Sequence, residues 1–246
     1  MKVHVISLDR TPERYQEFLR WNAGAKLEVD RFPAVDGQTL DKAELVRQGL
    51  ITADLAYLPG ALGIAMSHLA LWRKAARENV SVTVCEDDAI FNHHFPEEAA
   101  ALISRLPPDW DMVMWGWNFD HPLWVDMIPG VSNCRLHFSE SALRAGIGRY
   151  QAQYFLLGLR KLIASFGLPC YTVSAKGASS LIQFCLPLRP QQIIVPDATG
   201  PLKNVGIDVV MNAWYPKGTA FACLPPLVVT LNNTSLSTIS PQRFTR

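Results

Sequence analysis

Apolar strand-like segments alternate with helix-like segments along the first 116 residues. Residues 3–8 form a short apolar run, and Thr11 followed by Pro12 and Glu13 is typical of a helix start, because Pro suits the first turn and Thr can cap it. Further strands are predicted at 27–35, 81–85 and 111–115, and an amphipathic helix at 62–78. Such alternation is typical of an α/β domain with a mostly parallel central sheet flanked by helices. We therefore expect one α/β domain over residues 1–246.

The regular pattern breaks after Gly116. Residues 118–137 are rich in Trp, Pro, Asp and Asn without a clear period, which predicts a long loop of the kind that is often functional. Residues 142–166 have a helical pattern interrupted by glycines. A strand at 171–174, a helix at 176–186 and strands at 193–195 and 227–231 complete the prediction. The second half is thus expected to be a helical and loop region added to the α/β core.

The charge of the chain is balanced overall but divided along its length. The formal net charge is +1, and 49% of residues are hydrophobic against 18% charged. This composition excludes intrinsic disorder, and the absence of a basic excess argues against a generic nucleic-acid binder. Residues 1–140 hold 20 acids and 13 bases (−7), whereas residues 141–246 hold 2 acids and 10 bases (+8). The second half therefore favours an anionic substrate or surface, although an ordinary solvated basic face explains the same counts.

Five widely spaced cysteines contain no Cys-x-x-Cys pair. They indicate neither a disulfide framework nor a zinc site, so a reducing cytoplasm is expected. The N-terminus begins directly with a strand-like segment rather than a secretory signal. The uncharged stretch 218–242 is interrupted by Pro225-Pro226, so it does not predict a membrane helix.

Three consecutive acids, Glu86, Asp87 and Asp88, directly follow the predicted strand 81–85. Their mutual repulsion is unfavourable unless a cation or hydrogen-bond donors offset it. The carboxyl ends of strands are where open α/β sheets bind ligands, and alternate residues of an extended segment share a side. Glu86 and Asp88 are therefore candidate ligands of Mg²⁺ or Mn²⁺, whose remaining positions phosphate oxygens can fill. A solvated acidic turn is the alternative.

Six blocks in the same order resemble the glycosyltransferases of family 25, which include lipopolysaccharide and collagen galactosyltransferases. The blocks are 5–14 (VISLDRTPER), 31–37 (RFPAVDG), 60–72 (GALGIAMSHLALW), 84–89 (VCEDDA), 171–178 (YTVSAKGA) and 205–211 (VGIDVVM). The resemblance implies a GT-A fold, in which a divalent metal holds the diphosphate of a nucleotide-sugar donor. It also implies inverting transfer of a sugar, typically galactose from UDP-galactose, to a glycan such as the lipopolysaccharide core.

The resemblance also assigns roles to residues of this chain. Glu86 and Asp88 would hold Mn²⁺ or Mg²⁺, and Asp87 would orient the ribose or brace the turn. The residues expected to bind the donor are Ile6, Leu8, Arg10, Arg14, Asp36, Ser67 and Asp87. Arg10 or Arg14 could reach a phosphate, or could instead form surface ion pairs with Glu13 or Glu17. Residues 1–140 would form the donor and metal half, and residues 141–246 the acceptor half.

Two positions depart from the family pattern. Ala61 and Ile64 stand where the third block usually has Glu and Cys. If that Glu contributes to binding or catalysis, activity is impaired or the donor differs; if it only caps the helix, the loss costs at most about 1 kcal/mol. His68 is retained and is a candidate for acid or base chemistry, although a His on an apolar helix face is commonly a hydrogen-bonded core residue.

Inverting transfer requires a general base for the acceptor hydroxyl. The second half contains only two acids, Asp197 and Asp208, and Asp208 lies among apolar residues in the last block. Asp208 is therefore the favoured base or an added carboxylate on the metal side, with a helix cap or ion pair as the alternative. Asp197 follows a proline and is typical of a turn. Asp120, within 118–137, is the third candidate.

The acceptor is expected to contact aromatic and basic residues. Trp117 and Trp124, with Asp120, are candidates because aromatic faces stack on sugar rings, although core packing explains them equally well. Arg160 and Lys161, on the predicted helix 142–166, could rest on an anionic membrane face or bind a lipid-linked oligosaccharide. The expected location is thus cytoplasmic, with peripheral membrane contact as an addition.

Two other functions remain open at this stage. Loss of the family Glu and Cys at Ala61 and Ile64 is compatible with a nucleotide-sugar-binding pseudoenzyme. The acids are also compatible with a metal-dependent phosphohydrolase, for which His93 and His94 are the only further candidate ligands.

Overall fold

The computed structural model describes residues 1–231, which form thirteen strands and seven α-helices. The strands are β1 (Lys2–Ser7), β2 (Glu28–Pro33), β3 (Val82–Glu86), β4 (Ala89–Phe91), β5 (Met112–Gly116), β6 (Leu123–Ile128), β7 (Ser132–Leu136), β8 (Gly158–Ala164), β9 (Cys170–Val173), β10 (Gln192–Ile193), β11 (Leu202–Lys203), β12 (Ala220–Leu224) and β13 (Val228–Thr230). The helices are α1 (Pro12–Trp21), α2 (Lys42–Arg47), α3 (Pro59–Glu78), α4 (Phe95–Ile103), α5 (Glu140–Ala152), α6 (Ala175–Cys185) and α7 (Ile207–Met211).

Nine strands form one sheet in the order β2–β1–β3–β9–β5–β12–β8–β6–β7. The predicted α/β class, with a central sheet flanked by helices, is confirmed. The pairs β1–β2, β1–β3 and β5–β12 are parallel, while the remaining neighbours are antiparallel, so the sheet is mixed. Strand β9 lies between β3 and β5, and its first residue, Cys170, pairs with both Cys85 and Gly116. The carboxyl ends of β3 and β5 and the start of β9 therefore meet at one edge.

The predicted elements of the first half are observed within a few residues. Helix α1 begins at Pro12, and α3 begins at Pro59 rather than at residue 62. Helix α3 is buried along most of its length, with Leu71 and Trp72 inaccessible to solvent. Within residues 1–231, no helix combines the length and the apolar character needed to cross a bilayer.

Two predictions for the second half are wrong. The expected loop 118–137 contains the antiparallel hairpin β6–β7. The expected helix 142–166 ends at Ala152, and its second part is strand β8, which pairs with β12 and β6. The periodicity of a leucine-rich run is compatible with a helix and with a strand, and here pairing with distant strands favours the strand. Arg160 and Lys161 therefore lie on a sheet strand, and the predicted basic amphipathic helix does not form.

The loop 34–38, after β2, packs directly against the first turns of α3. A Cβ atom on Gly37 would lie 1.7 Å from the carbonyl oxygen of Pro59, and one on Gly63 would lie 2.5 Å from that of Val35. Only glycine allows the two backbones to approach so closely. Ser67 of α3 stabilises the contact between the loop and the helix, since its Oγ accepts a hydrogen bond from the Val35 N–H at 2.9 Å. The loop and the helix together border the carboxyl edge of β1 and β3.

Candidate active site

An open cleft of about 190 Å³ lies at the carboxyl edge of β1 and β3. Ten residues predicted from the sequence line it: Ile6, Leu8, Arg10, Arg14, Asp36, Ser67, Glu86, Asp87, Asp88 and Asp208. These residues come from five of the six sequence blocks, so the fold brings together segments that are far apart along the chain. His68, Trp117, Asp120 and Trp124 do not line the cleft.

Asp87 is paired with Arg14. The Arg14 Nε donates to Asp87 Oδ1 at 2.8 Å, and the side chains are 23% and 8% exposed, respectively. Burial opposes the charge on Arg14, but the hydrogen bonds and charge of Asp87, with the charges of Asp88 and Glu86, raise the pKa of Arg14 above its ordinary value. Arg14 thus pairs with the central acid of the run and lies beside the other two.

Glu86 and Asp88 flank this ion pair. Desolvation by the surrounding protein, followed by repulsion from Glu86, raises the pKa of Asp88 to about 7, although the residue keeps an exposed surface in the cleft. Arg14 and a hydrogen bond from Thr230 oppose this shift. Two carboxylates that repel each other in this way form a donor set that a hard divalent cation would stabilise.

No group of three His, Cys, Asp or Glu side chains within residues 1–231 is arranged to hold a metal ion alone. The two carboxylates fit the other common arrangement, in which Mg²⁺ or Mn²⁺ is held by one or two acids together with substrate phosphates. The cleft thus fits a cation that arrives with an anionic ligand.

A second ion pair lies beside the loop 34–38. Arg10 Nε donates to Asp36 Oδ2 at 2.8 Å, with side chains 43% and 25% exposed. Asp36 also accepts from the Gln38 N–H at 3.0 Å, which orders the loop. Both arginines of the cleft are therefore anchored by carboxylates, Arg10 at a more exposed position than Arg14.

His68 lies beneath the cleft and is inaccessible to solvent. Its Nδ1 is 2.8 Å from the Tyr171 hydroxyl, and its Nε2 is 3.6 Å from Glu86 Oε1. The imidazole touches a predicted metal ligand but does not reach the space where a substrate would bind. Its predicted role in acid or base chemistry therefore lacks support from the geometry.

Asp208 lines the same cleft as the acidic run. It lies in the first turn of the five-residue helix α7, and its Oδ2 accepts from the Gly167 N–H at 3.2 Å. Asn118 also lines the cleft, next to Gly167. Asp208 is the only acid outside Asp36 and the acidic run among the residues lining the cleft, which is compatible with its predicted role as base.

The predicted acceptor residues lie elsewhere. Trp117 is fully buried and Trp124 is 5% exposed, so both pack in the core and neither offers a face to a sugar in the cleft. Asp120 is exposed on the loop before β6 and does not line the cleft. For the two tryptophans, core packing is the arrangement observed.

Sequence reasoning missed three residues of the site. Thr230, on β13, is buried and hydrogen-bonded to Asp88, because β13 pairs with β4 directly after the acidic run. Asn118 and Gly167 line the side of Asp208. None belongs to a local motif, and only the pairing of distant segments identifies them.

The departures from the family pattern occupy different surroundings. Ala61 is 1% exposed in the core contacts of α3, whereas Ile64 lines the cleft beside the loop 34–38. The change at residue 64 therefore alters the lining of the cleft, and the change at residue 61 alters the packing behind it.

Comparison with known proteins finds matches to glycosyltransferases. Residues 1–196 match the family model described as glycosyltransferase family 25 (LPS biosynthesis protein). A glycosyltransferase 25 family member of Drosophila melanogaster is 26% identical over 182 residues, 67% of this chain and 28% of that protein. Procollagen galactosyltransferase 2 of Homo sapiens is 26% identical over 132 residues, 47% of this chain and 20% of that protein. Inactive glycosyltransferase 25 family member 3 of Mus musculus is 28% identical over 183 residues, which are 67% of this chain and 29% of that protein.

This chain spans less than a third of the length of these relatives. The family model nevertheless matches most of the chain, including all of the acidic run and both arginines of the cleft. The chain belongs to glycosyltransferase family 25.

Proposed function

We propose that the chain is a metal-dependent, inverting glycosyltransferase that moves a hexose from a UDP-sugar to a glycan acceptor. Galactose is the first candidate sugar, and the lipopolysaccharide core oligosaccharide the first candidate acceptor. The observation that carries the proposal is the convergence of ten predicted residues on one cleft, where two carboxylates, Glu86 and Asp88, flank the Arg14–Asp87 pair. The GT-A fold and cytoplasmic location expected from the sequence belong to this proposal.

Glu86 and Asp88 would hold Mn²⁺ or Mg²⁺. When bound there, the cation would offset the negative charge that develops on the diphosphate leaving group. Desolvation and then repulsion from Glu86 raise the pKa of Asp88, and both are physical reasons that this pair of carboxylates gains from a cation. Arg14, anchored by Asp87, and Arg10, anchored by Asp36, supply fixed positive charge beside the same phosphates.

Asp208 would accept the proton of the acceptor hydroxyl. Inversion requires a base for the attacking hydroxyl, and Asp208 is a carboxylate in the same cleft as the proposed metal ligands. Its Oδ2 is oriented by the Gly167 N–H. Asp208 lies beyond residues 1–196, which match the family model, so this role is supported by its place in the cleft and by the sequence block 205–211.

A nucleotide-sugar-binding protein without transfer activity is the second candidate. Ala61, buried where the family pattern has Glu, favours it, as does the similarity to a relative named as inactive. The phosphohydrolase alternative has less support, because His93 and His94 do not line the cleft; His94 instead stacks on Tyr154.

The test is incubation of the purified chain with Mn²⁺, individual UDP-sugars and a bacterial lipopolysaccharide extract. The proposal expects UDP release that requires both the cation and the extract, together with transfer of labelled hexose to the glycan. UDP binding with Mn²⁺ but without transfer to any acceptor offered would support the binding protein. Hydrolysis of simple phosphate esters without sugar transfer would support the phosphohydrolase.

A further inference from the structure

Three buried residues connect the core to the acidic run. Trp72 Nε1 donates to the Tyr171 hydroxyl at 2.7 Å, and this hydroxyl lies 2.8 Å from His68 Nδ1. All three side chains are inaccessible to solvent. On the other side of the imidazole, His68 Nε2 lies 3.6 Å from Glu86 Oε1. The series Trp72–Tyr171–His68 therefore ends at Glu86, one of the two carboxylates proposed to hold the cation.

The donors and acceptors in this series determine which nitrogen of His68 carries a hydrogen. An indole N–H only donates, so the Tyr171 oxygen accepts from Trp72 and its single proton remains to donate to His68 Nδ1. Burial raises the pKa of Tyr171 well above its ordinary value, which keeps that proton on the hydroxyl. Because Nδ1 then acts as an acceptor, the neutral imidazole carries its hydrogen on Nε2.

The Nε2–H group is directed towards Glu86. Within residues 1–231, His68 Nε2 has no hydrogen-bond partner, and a buried N–H of this kind is rare in folded proteins. Glu86 Oε1, at 3.6 Å, is slightly beyond hydrogen-bond length but within ion-pair distance. Glu86 is partly exposed in the cleft, whereas the ring is enclosed, so a small movement of the carboxylate completes the bond.

We propose that His68 is a positioning residue, whose Nε2–H holds Oε1 of Glu86 and leaves the other oxygen for the cation. This inference rests on the proposed function, in which Glu86 is a metal ligand. It replaces the acid or base role expected of His68 from the sequence. Donors that orient a metal ligand in this way typically contribute a factor of about 10–100 to metal affinity.

The adjacent residue of β9 provides a matched control. Thr172 Oγ1 accepts from Trp115 Nε1 at 2.7 Å and lies 2.8 Å from Thr83 Oγ1. This series also joins a tryptophan to a hydroxyl of β9, but it leads to a threonine and not to an acid of the cleft. Thr172→Val therefore disturbs a buried network of the same kind on the same strand.

Two substitutions of His68 separate its two contacts. The amide of His68→Asn lies near the position of Nδ1, so it keeps the Tyr171 contact and loses the donor to Glu86. The longer side chain of His68→Gln places its amide near the position of Nε2 and keeps that donor. Mn²⁺ affinity in the presence of UDP is measured from the electron paramagnetic resonance signal of free Mn²⁺, and stability from urea unfolding.

His68→Asn is expected to weaken Mn²⁺ binding about 10–100-fold, and His68→Gln by less than about threefold, whatever the two variants lose in stability. Thr172→Val is expected to lose stability with unchanged Mn²⁺ affinity. Nitrogen-15 NMR of labelled histidine in the metal-free protein is expected to show the Nε2–H form of His68.

Equal Mn²⁺ affinities of the Asn and Gln variants, or an Nδ1–H form of His68, would overturn the positioning role. If the wild-type chain itself binds no Mn²⁺ with UDP, the metal-dependent function fails and the positioning role fails with it. A wild-type chain that binds Mn²⁺ as tightly as His68→Asn refutes the positioning role alone.

Discussion

The two sides of the cleft differ in how charge is arranged. The donor wall, made of the cleft-lining residues within 6–14, 34–38 and 86–88, carries two arginines (Arg10 and Arg14) and four carboxylates (Asp36 and the acidic run). The base wall, made of Asn118, Gly167, Leu168, Ile207 and Asp208, carries one carboxylate. On the donor wall two ion pairs, Arg10–Asp36 and Arg14–Asp87, join basic and acidic side chains, whereas Asp208 accepts a hydrogen bond from a backbone N–H.

This difference matches the two halves of a group transfer. Several charged side chains that are held in place by ion pairs are suited to hold an anionic diphosphate and a cation in one geometry. A carboxylate that is held by a backbone N–H is suited to receive one proton. The donor wall should therefore control binding of the cation and nucleotide, and the base wall should control turnover.

The strongest test of this separation is Asp88→Ala, on the donor wall. Loss of one of the two carboxylates proposed to bind the metal is expected to lower Mn²⁺-dependent UDP affinity at least about 100-fold and to abolish transfer. Stability should be kept, because desolvation and repulsion from Glu86 already disfavour the charged form of Asp88. Calorimetric titration with UDP and Mn²⁺ measures the affinity, and urea unfolding measures the stability.

Asp9→Ala is the control for this experiment. Asp9 is an exposed acid at the end of β1 that pairs with Arg31 and does not line the cleft. Its removal should leave UDP affinity unchanged. A comparable loss in both variants would indicate a general effect of negative charge, and full affinity in Asp88→Ala would remove the metal assignment.

Asp208→Asn tests the base wall. The amide keeps the shape of the side chain but cannot accept a proton, so transfer is expected to fall about 10²- to 10⁴-fold, with UDP affinity changed by less than threefold. Asp197→Asn is the matched control, since Asp197 is the other acid of residues 141–246 and is exposed. Collapse of UDP affinity in Asp208→Asn would place Asp208 on the metal side instead.

The donor wall could be predicted from the sequence because its signals are local. The Thr11-Pro12 helix start places Arg14 on the first turns of α1, and the acidic run directly follows an apolar strand. The ordered blocks then identify residues whose spacing is fixed by single strands, turns and helices. What the sequence did not show is that Arg14 pairs with Asp87, 73 positions away.

The base wall and the sheet around it depend on distant pairings. Strand β8 forms because Arg160 pairs with Ala222, and Thr230 reaches Asp88 because it pairs with Ala89. Periodicity within a window of residues contains no information about such partners, which is why 142–166 was predicted as one helix. Tryptophans 117 and 124 illustrate the same limit, since an aromatic side chain suits a sugar site and a core equally well.

A smaller effect distinguishes the two ion pairs of the donor wall. Arg14→Gln leaves Asp87, only 8% exposed, beside two further carboxylates, and is expected to cost about 2–3 kcal/mol of unfolding free energy, somewhat less than a fully buried pair. Arg10→Gln breaks the more exposed Arg10–Asp36 pair and is expected to cost no more than about 1 kcal/mol. Urea unfolding compares them directly, and equal losses would show that burial of Asp87 does not set the cost.

A further test substitutes one glycine on each side of the cleft. Gly63 belongs to α3, behind the donor wall, and a Cβ there would lie 2.5 Å from the Val35 carbonyl oxygen and 2.7 Å from the Gly37 N. Gly63→Ala must displace the loop 34–38, which is expected to cost about 1–3 kcal/mol and to lower UDP affinity. Gly167→Ala, at φ +77°, strains the backbone that donates to Asp208 and is expected to cost about 1 kcal/mol or more and to lower turnover.

The comparison of these glycine variants separates the two walls without changing any charge. Gly148 is the control position, because it lies inside α5 with open space around it. Gly148→Ala should add up to about 1 kcal/mol of stability and change neither UDP affinity nor the rate of hexose transfer. Calorimetric UDP affinity and initial rates of hexose transfer are measured for all three. If Gly63→Ala lowers the rate at saturating UDP-sugar while Gly167→Ala lowers UDP affinity, the division into a donor wall and a base wall is wrong, since each backbone would then control the opposite step.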